Sequence, residues 1–131
     1  MAVNFGVNYL AVIVAAIVAV VIGFLYFGVA GMAARSGTVA AGQRPAPSQA
    51  AVGAVAALVN AWVLALFALN LGGSTITDGI MLGILAWLGF MATLSAAQTA
   101  FQRRSWNAWF IANVHDVVVQ VVMGAIVTVW R

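Results

Sequence analysis

His115 and Asp116 stand side by side inside a run otherwise made of Val, Ile, Ala and Met. An imidazole beside a carboxylate is the material of a proton, ion or ligand site, and an ionisable residue inside a membrane segment marks such a site by default. An ionised Asp at the centre of a spanning helix costs roughly 2.5 to 3.5 kcal/mol on insertion scales, so Asp116 requires neutralisation or hydrogen bonding. Neighbours on a helix are rotated by about 100°, so the pair is not expected to form a dyad within one helix. Any relay between them would need a second helix or subunit. The same rotation puts Asp116 on a stripe with Trp106, Trp109, Asn113, Gln120 and Gly124, a stripe that should face protein. His115 falls instead among Ile111, Val119 and Val122.

Partners for Asp116 follow from depth. About nine residues of helix correspond to roughly 13 Å, and counting inward from the arginine-bearing ends brings Tyr26, Asn60 and Thr93 near its level. The expected intramembrane polar cluster is therefore Asp116, Asn113, Gln120, Tyr26, Asn60 and Thr93, with Asp116 pointing into the bundle. The competing reading is a polar clamp that fixes helix register. His115 by itself offers one axial ligand to a haem or chlorophyll-type pigment, with Trp87 as a further ligand or partner contact. With one His and no Cys in the chain, no metal site and no cofactor are expected.

The elements that carry these residues are set by composition. The chain is 66% hydrophobic and 5% charged, against about a quarter charged residues in a soluble domain. Seven charges cannot cover a water-facing surface. Four apolar runs, each near the roughly twenty residues that span a bilayer, give expected helices over 7–34, 50–71, 79–101 and 107–130, with a linker at 35–49. Continuous apolarity disfavours a β-barrel wall, which alternates in and out. The fold class expected is an all-α membrane protein, one domain over 1–131, folded as an up-and-down antiparallel bundle of four transmembrane helices. The first run lacks a basic flank and is too long for a secretory signal.

Arg35, Arg44, Arg103 and Arg104 fall in loops on one side of such a bundle. Asp78, the amino terminus and Arg131 fall on the other. The positive-inside rule puts the arginine loops in the cytoplasm and both termini outside. A net charge of +3 is too small, and too confined to turns, for nucleic-acid binding. Gly72 and Gly73 should end the second helix, Thr75 or Thr77 should cap the third with Asp78 at its positive end, and Ser105 should cap the fourth. Fourfold spacing of small residues at Ala11, Ala15, Ala19 and Gly23, at Gly53, Ala57, Ala61 and Ala65, and at Gly79 and Gly83 predicts close helix packing within the chain, and self-association after that. Trp106, Trp109 and Trp130 suit the headgroup level, whereas Trp62 and Trp87 lie deeper and need acceptors.

No Gly-rich phosphate loop, HExxH or GxSxG is present, and the two carboxylates stand on different helices, so an enzyme is not expected. The run Gly83-Ile84-Leu85-Ala86-Trp87-Leu88-Gly89-Phe90, the closing Val122-Met123-Gly124-Ala125-Ile126 with Trp130, and the opening Asn8-Tyr9-Leu10-Ala11 and Gly23-Phe24-Leu25-Tyr26 resemble the bacterial membrane proteins grouped as domain of unknown function 1761. The resemblance spans most of the chain outside the linker and implies four helices, a bacterial cytoplasmic (inner) membrane and no established activity. Where that family tends to show Tyr-His in its last helix, this chain reads His115-Asp116. The function expected is an accessory or self-associating subunit of a larger membrane assembly, with the lipid bilayer and other membrane subunits or itself as partners. A small oligomeric transporter or channel with Asp116 and Gln120 in its path is the alternative, and a lipid- or pigment-holding subunit the third.

Overall fold

A computed structural model of the chain describes residues 1–35 and 46–131, so Arg44 of the orientation argument lies outside the described residues. Among the described residues there is no strand, and four helices are long and apolar enough to cross a membrane. They are α1 (Tyr9–Val29), α2 (Pro47–Asn70), α3 (Ile76–Phe101) and α4 (Trp106–Val129). A helical turn, Met32–Arg35, follows α1. The expected all-helical bundle is what the chain forms.

Local chemistry explains the ends. Asn8 Oδ1 accepts from the backbone N–H groups of Leu10 and Ala11 and starts α1, using a short polar side chain to satisfy donors the helix cannot. The first helix stops at Val29 instead of running to Ala34, because Gly31 takes φ +71°, a left-handed conformation open to glycine at little cost. Pro47 opens α2 three residues ahead of expectation, since its missing N–H is no loss at the first helical position. Gln49 Oε1 reaches back to the Ala46 N–H at 2.9 Å. At α3 the capping is reciprocal: Thr75 Oγ1 accepts from the Asp78 N–H at 3.1 Å, and Asp78 Oδ2 accepts from Ser74 and Thr75, each at 2.9 Å. That box moves the start of α3 to Ile76.

Two helices end in the same way with different residues. Gly72, at φ +75°, closes α2, with Gly73 N–H donating to Ala68 O at 2.9 Å and Gly72 N–H to Leu69 O at 3.3 Å. Arg103 holds the equivalent place after α3 at φ 51°, with Arg104 N–H on Thr99 O and Arg103 N–H on Ala100 O. This is the Schellman arrangement. An arginine there accepts a conformation that glycine adopts more readily, and it leaves two cations at the negative end of α3.

Both α1 and α3 widen into π-helix, over Phe24–Val29 and Trp87–Ala92 respectively. Apolar periodicity carries no signal for such a step. Its backbone bonds run from i to i+5, and it usually sits at a site with a function of its own.

In the packing, α4 touches all three other helices, most extensively the first half of α3. Glycine makes that approach possible. A Cβ on Gly79 would lie 2.7 Å from Ala125 Cα, and one on Gly83 would lie 2.7 Å from Val121 Cα. Ala11, Ala15 and Ala19 of α1 and Ala61 and Ala65 of α2 are buried with Leu64 and Met123, so these small residues serve packing within the chain. Gly53 does not: a Cβ there meets nothing, and every residue from Pro47 to Ala56 is exposed. The first half of α2 thus stands away from the bundle.

Two polar clamps mark the ends. Asn70 and Asn4 exchange hydrogen bonds of 2.9 and 3.0 Å where α2 finishes. Asn107 Nδ2 donates to Arg35 O at 3.4 Å at the end that also carries Arg103 and Arg104. Gly83→Ala should lower the unfolding free energy in detergent by about 2 to 4 kcal/mol through overpacking against the α4 backbone. Gly53→Ala, having open space, should leave it unchanged or raise it by up to about 1 kcal/mol through helix propensity. Thermal melts of the two variants followed by circular dichroism check the contrast.

Candidate intramembrane polar site

The polar side chains of α4 do not meet in one cluster. They form three groups, two of them built against α3 and the third against α1, and the partners come largely from the two π segments.

Asn113 is the centre of the first. Its Oδ1 accepts from Trp87 Nε1 at 3.0 Å, and its Nδ2 donates to Trp109 O at 2.9 Å and to Ser95 Oγ at 3.4 Å. Ser95 Oγ also accepts from Trp109 Nε1 at 3.0 Å and donates to Met91 O at 2.6 Å. Two indoles, an amide and a hydroxyl therefore satisfy one another between α3 and α4. Trp87 finds the acceptor its depth demanded. Trp109 faces protein as its place on the α4 stripe implied, but its N–H, expected at the headgroups, goes to α3. Trp62 is half-buried and stacks on Phe5 with ring centroids 6.2 Å apart.

Gln120 makes the second group, donating through Nε2 to Asn60 Oδ1 at 3.2 Å and lying 2.7 Å from Met91 Sδ. Only 3% of Gln120 is exposed, so its amide links α2, α3 and α4 inside the bundle. Its Oε1 has no partner among the described residues.

His115 and Asp116 are the third group, and here the sequence-based expectation is corrected. His115 Nδ1 lies 2.9 Å from Asp116 Oδ1, a dyad between neighbours on one helix. The 100° separation applies at the Cβ atoms; beyond them the imidazole and the short carboxylate swing toward each other across the backbone. In hydrocarbon, where water offers no alternative, that contact is worth the rotamers it requires. The hydrogen bond of Asp116 goes to His115 and to none of Tyr26, Asn60 and Thr93.

Each of those three is occupied elsewhere. Tyr26 donates its hydroxyl to Ile111 O at 2.7 Å. Asn60 serves Gln120, and Thr93 is exposed and donates to Gly89 O of its own helix at 2.9 Å. That last bond has a local cause, because the π step loosens carbonyls that lipid cannot hydrate and nearby hydroxyls take them. Ser95 does the same for Met91.

The His115 ring packs on Tyr26 and Phe27, with centroids 5.6 and 4.7 Å away, so α1 presents its π segment to the dyad. His115 Nε2 is buried without a partner among the described residues, and a Cβ built on Gly23 would lie 3.4 Å from it. Trp87 works on the α3 flank of α4 and His115 on the α1 flank, so the two are not brought together. Among the described residues no three His, Cys, Asp or Glu side chains converge.

Asp116 keeps 28% of its side chain exposed, although it shares the inward stripe of α4 with Asn113 and Gln120. Register explains this. Helices α2 and α4 run parallel, Asn60 sits opposite Gln120, and one turn toward the arginine end Ala56 comes level with Asp116. That is where α2 stands away from the bundle. Ser95 and Met91, which sequence reasoning missed, are legible only as polar or soft atoms in an apolar run; their role depends on the π step.

Buried interhelical polar bonds and four apolar spans, with Arg35, Arg103 and Arg104 together at one end, define a multi-pass helical membrane protein. The chain matches the family described as Protein of unknown function (DUF1761) over residues 10–128 and belongs to that family. Comparison with curated proteins and with solved structures returns no match.

Asn113→Leu should destabilise the bundle by about 1 to 3 kcal/mol, because it leaves the Trp87 N–H buried without an acceptor. Adding Trp87→Phe should recover part of that loss. A double-mutant cycle on unfolding in mixed micelles checks this, and strict additivity would separate the two side chains energetically.

Proposed function

We propose that this protein is a membrane-embedded interaction subunit, self-associating or accessory to a larger assembly, and that it docks through its arginine end. The observation that carries the reading is the open half of α2. Pro47 to Ala56 is exposed on all faces, and its inner end at Ala56 lies level with Asp116, which is left a quarter uncovered. A mid-membrane carboxylate on an inward stripe calls for cover, and a helix from a second subunit laid along α2 supplies it. The small residues Ala50, Gly53 and Ala54 allow a close approach there. By the positive-inside rule Arg35, Arg103 and Arg104 face the cytoplasm, the residues at both ends of the chain face outward, and the membrane is a bacterial inner membrane.

A second reading, a small oligomeric transporter or channel with Asp116 in its path, draws on the same opening and on the orphan Nε2 of His115. Two experiments separate them. Mass measurement of the protein extracted in mild detergent should give a fixed oligomer or a defined complex, and Asp116→Leu should shift it toward the single chain. A steady single chain without partners would overturn the interaction reading. In liposomes the transport reading requires pH-dependent flux that Asp116→Asn abolishes.

A further inference from the structure

A crevice of about 250 Å³ opens at the opposite end of the molecule, between the end of α2 and the first half of α3. From its content we infer that it is a binding site for one phospholipid with a primary-ammonium headgroup. Its walls are Phe67 and Leu71 of α2 and Met81 and Leu85 of α3. Leu71, Met81 and Leu85 are 76, 52 and 58% exposed, so its mouth faces the surroundings of the bundle. In a four-span membrane protein those surroundings are lipid, and an apolar recess there fills with acyl chain. Leu85 stands seven residues, roughly 10 Å, deeper than Asp78 along α3. The crevice therefore runs from headgroup level into hydrocarbon, the shape an amphiphile fits.

The polar side chain at its shallow end points to the headgroup. Asp78 lines the crevice there, at the level where α2 ends and α3 begins. Both of its hydrogen bonds from Ser74 and Thr75 fall on Oδ2, leaving Oδ1 for a donor from outside. A compact ammonium with three N–H groups suits that oxygen, whereas a trimethylammonium carries none. Arg131 lies close enough to act on the Asp78 charge, and it offers the phosphate of the same lipid a cation. The complement is zwitterionic: ammonium on Asp78, phosphate toward Arg131, one chain along Met81 and Leu85.

The test uses the full chain reconstituted in vesicles of equal parts phosphatidylethanolamine, phosphatidylcholine and phosphatidylglycerol, extracted in mild detergent and weighed intact. One phosphatidylethanolamine should stay on each chain, about tenfold preferred over phosphatidylcholine, the ratio a single charge-assisted hydrogen bond gives. Leu85→Trp should fill the recess and strip the retained lipid while helicity and elution stay as in the parent; Met81→Trp serves if that variant fails to fold. Asp78→Asn should keep a lipid and lose the preference for ammonium. Retention that follows vesicle composition, retention undiminished in both tryptophan variants, or a crevice covered by a second copy without lipid would overturn the assignment.

Discussion

Everything in this bundle depends on how closely the backbones of α3 and α4 approach. Lipid tails are as apolar as leucine, so apolar helices gain no hydrophobic drive from meeting each other and rely on close contact and interhelical hydrogen bonds. Gly79, Gly83 and Gly124 remove the atoms that would hold the backbones apart. With α4 seated against α3, its stripe of Asn113 and Gln120 comes within reach of Trp87, Met91 and Ser95. Its other flank is left to α1 and α2.

The second constraint is that buried backbone and side-chain polar groups need protein partners where there is no water. The π segments show how the chain meets it. In α3 the π step sets Trp87 and Met91 on the α4 stripe, while Thr93 and Ser95 return their hydroxyls to carbonyls in or beside the distorted turn. In α1 the equivalent step lays Tyr26 and Phe27 on the His115 ring. Asp116 stands out against this economy, since it is tied to His115 yet still a quarter exposed.

Much of the scaffold was legible beforehand. Apolar runs gave the spans, Thr75 with Asp78 and Ser105 gave two of the starts, and Gly72 gave a stop, because each rests on chemistry within a few residues; the Asn8 cap, one residue inside the expected first helix, went unread. The alanine and glycine stripes on α1 and α3 were legible for the same reason. On α2 the identical spacing misled at Gly53, which packs on nothing. Counting depth put Tyr26, Asn60 and Thr93 level with Asp116, and depth does not say which way a side chain turns. Trp109 faces protein as its place on the α4 stripe implied, but its N–H, expected at the headgroups, goes to Ser95.

From sequence alone, then, came the solvent, the number of spans, two of their starting caps and the side on which the loop arginines gather. These follow from composition and from contacts local in the chain, for which 3.6 residues per turn is rule enough. Tertiary structure decided where that rule fails. Two π steps shift the angular register, an adjacent pair folds together across its own helix, and α2 leaves the bundle below Ala57. Each reflects a balance among helices distant in sequence, and no window along the chain contains all the groups that take part.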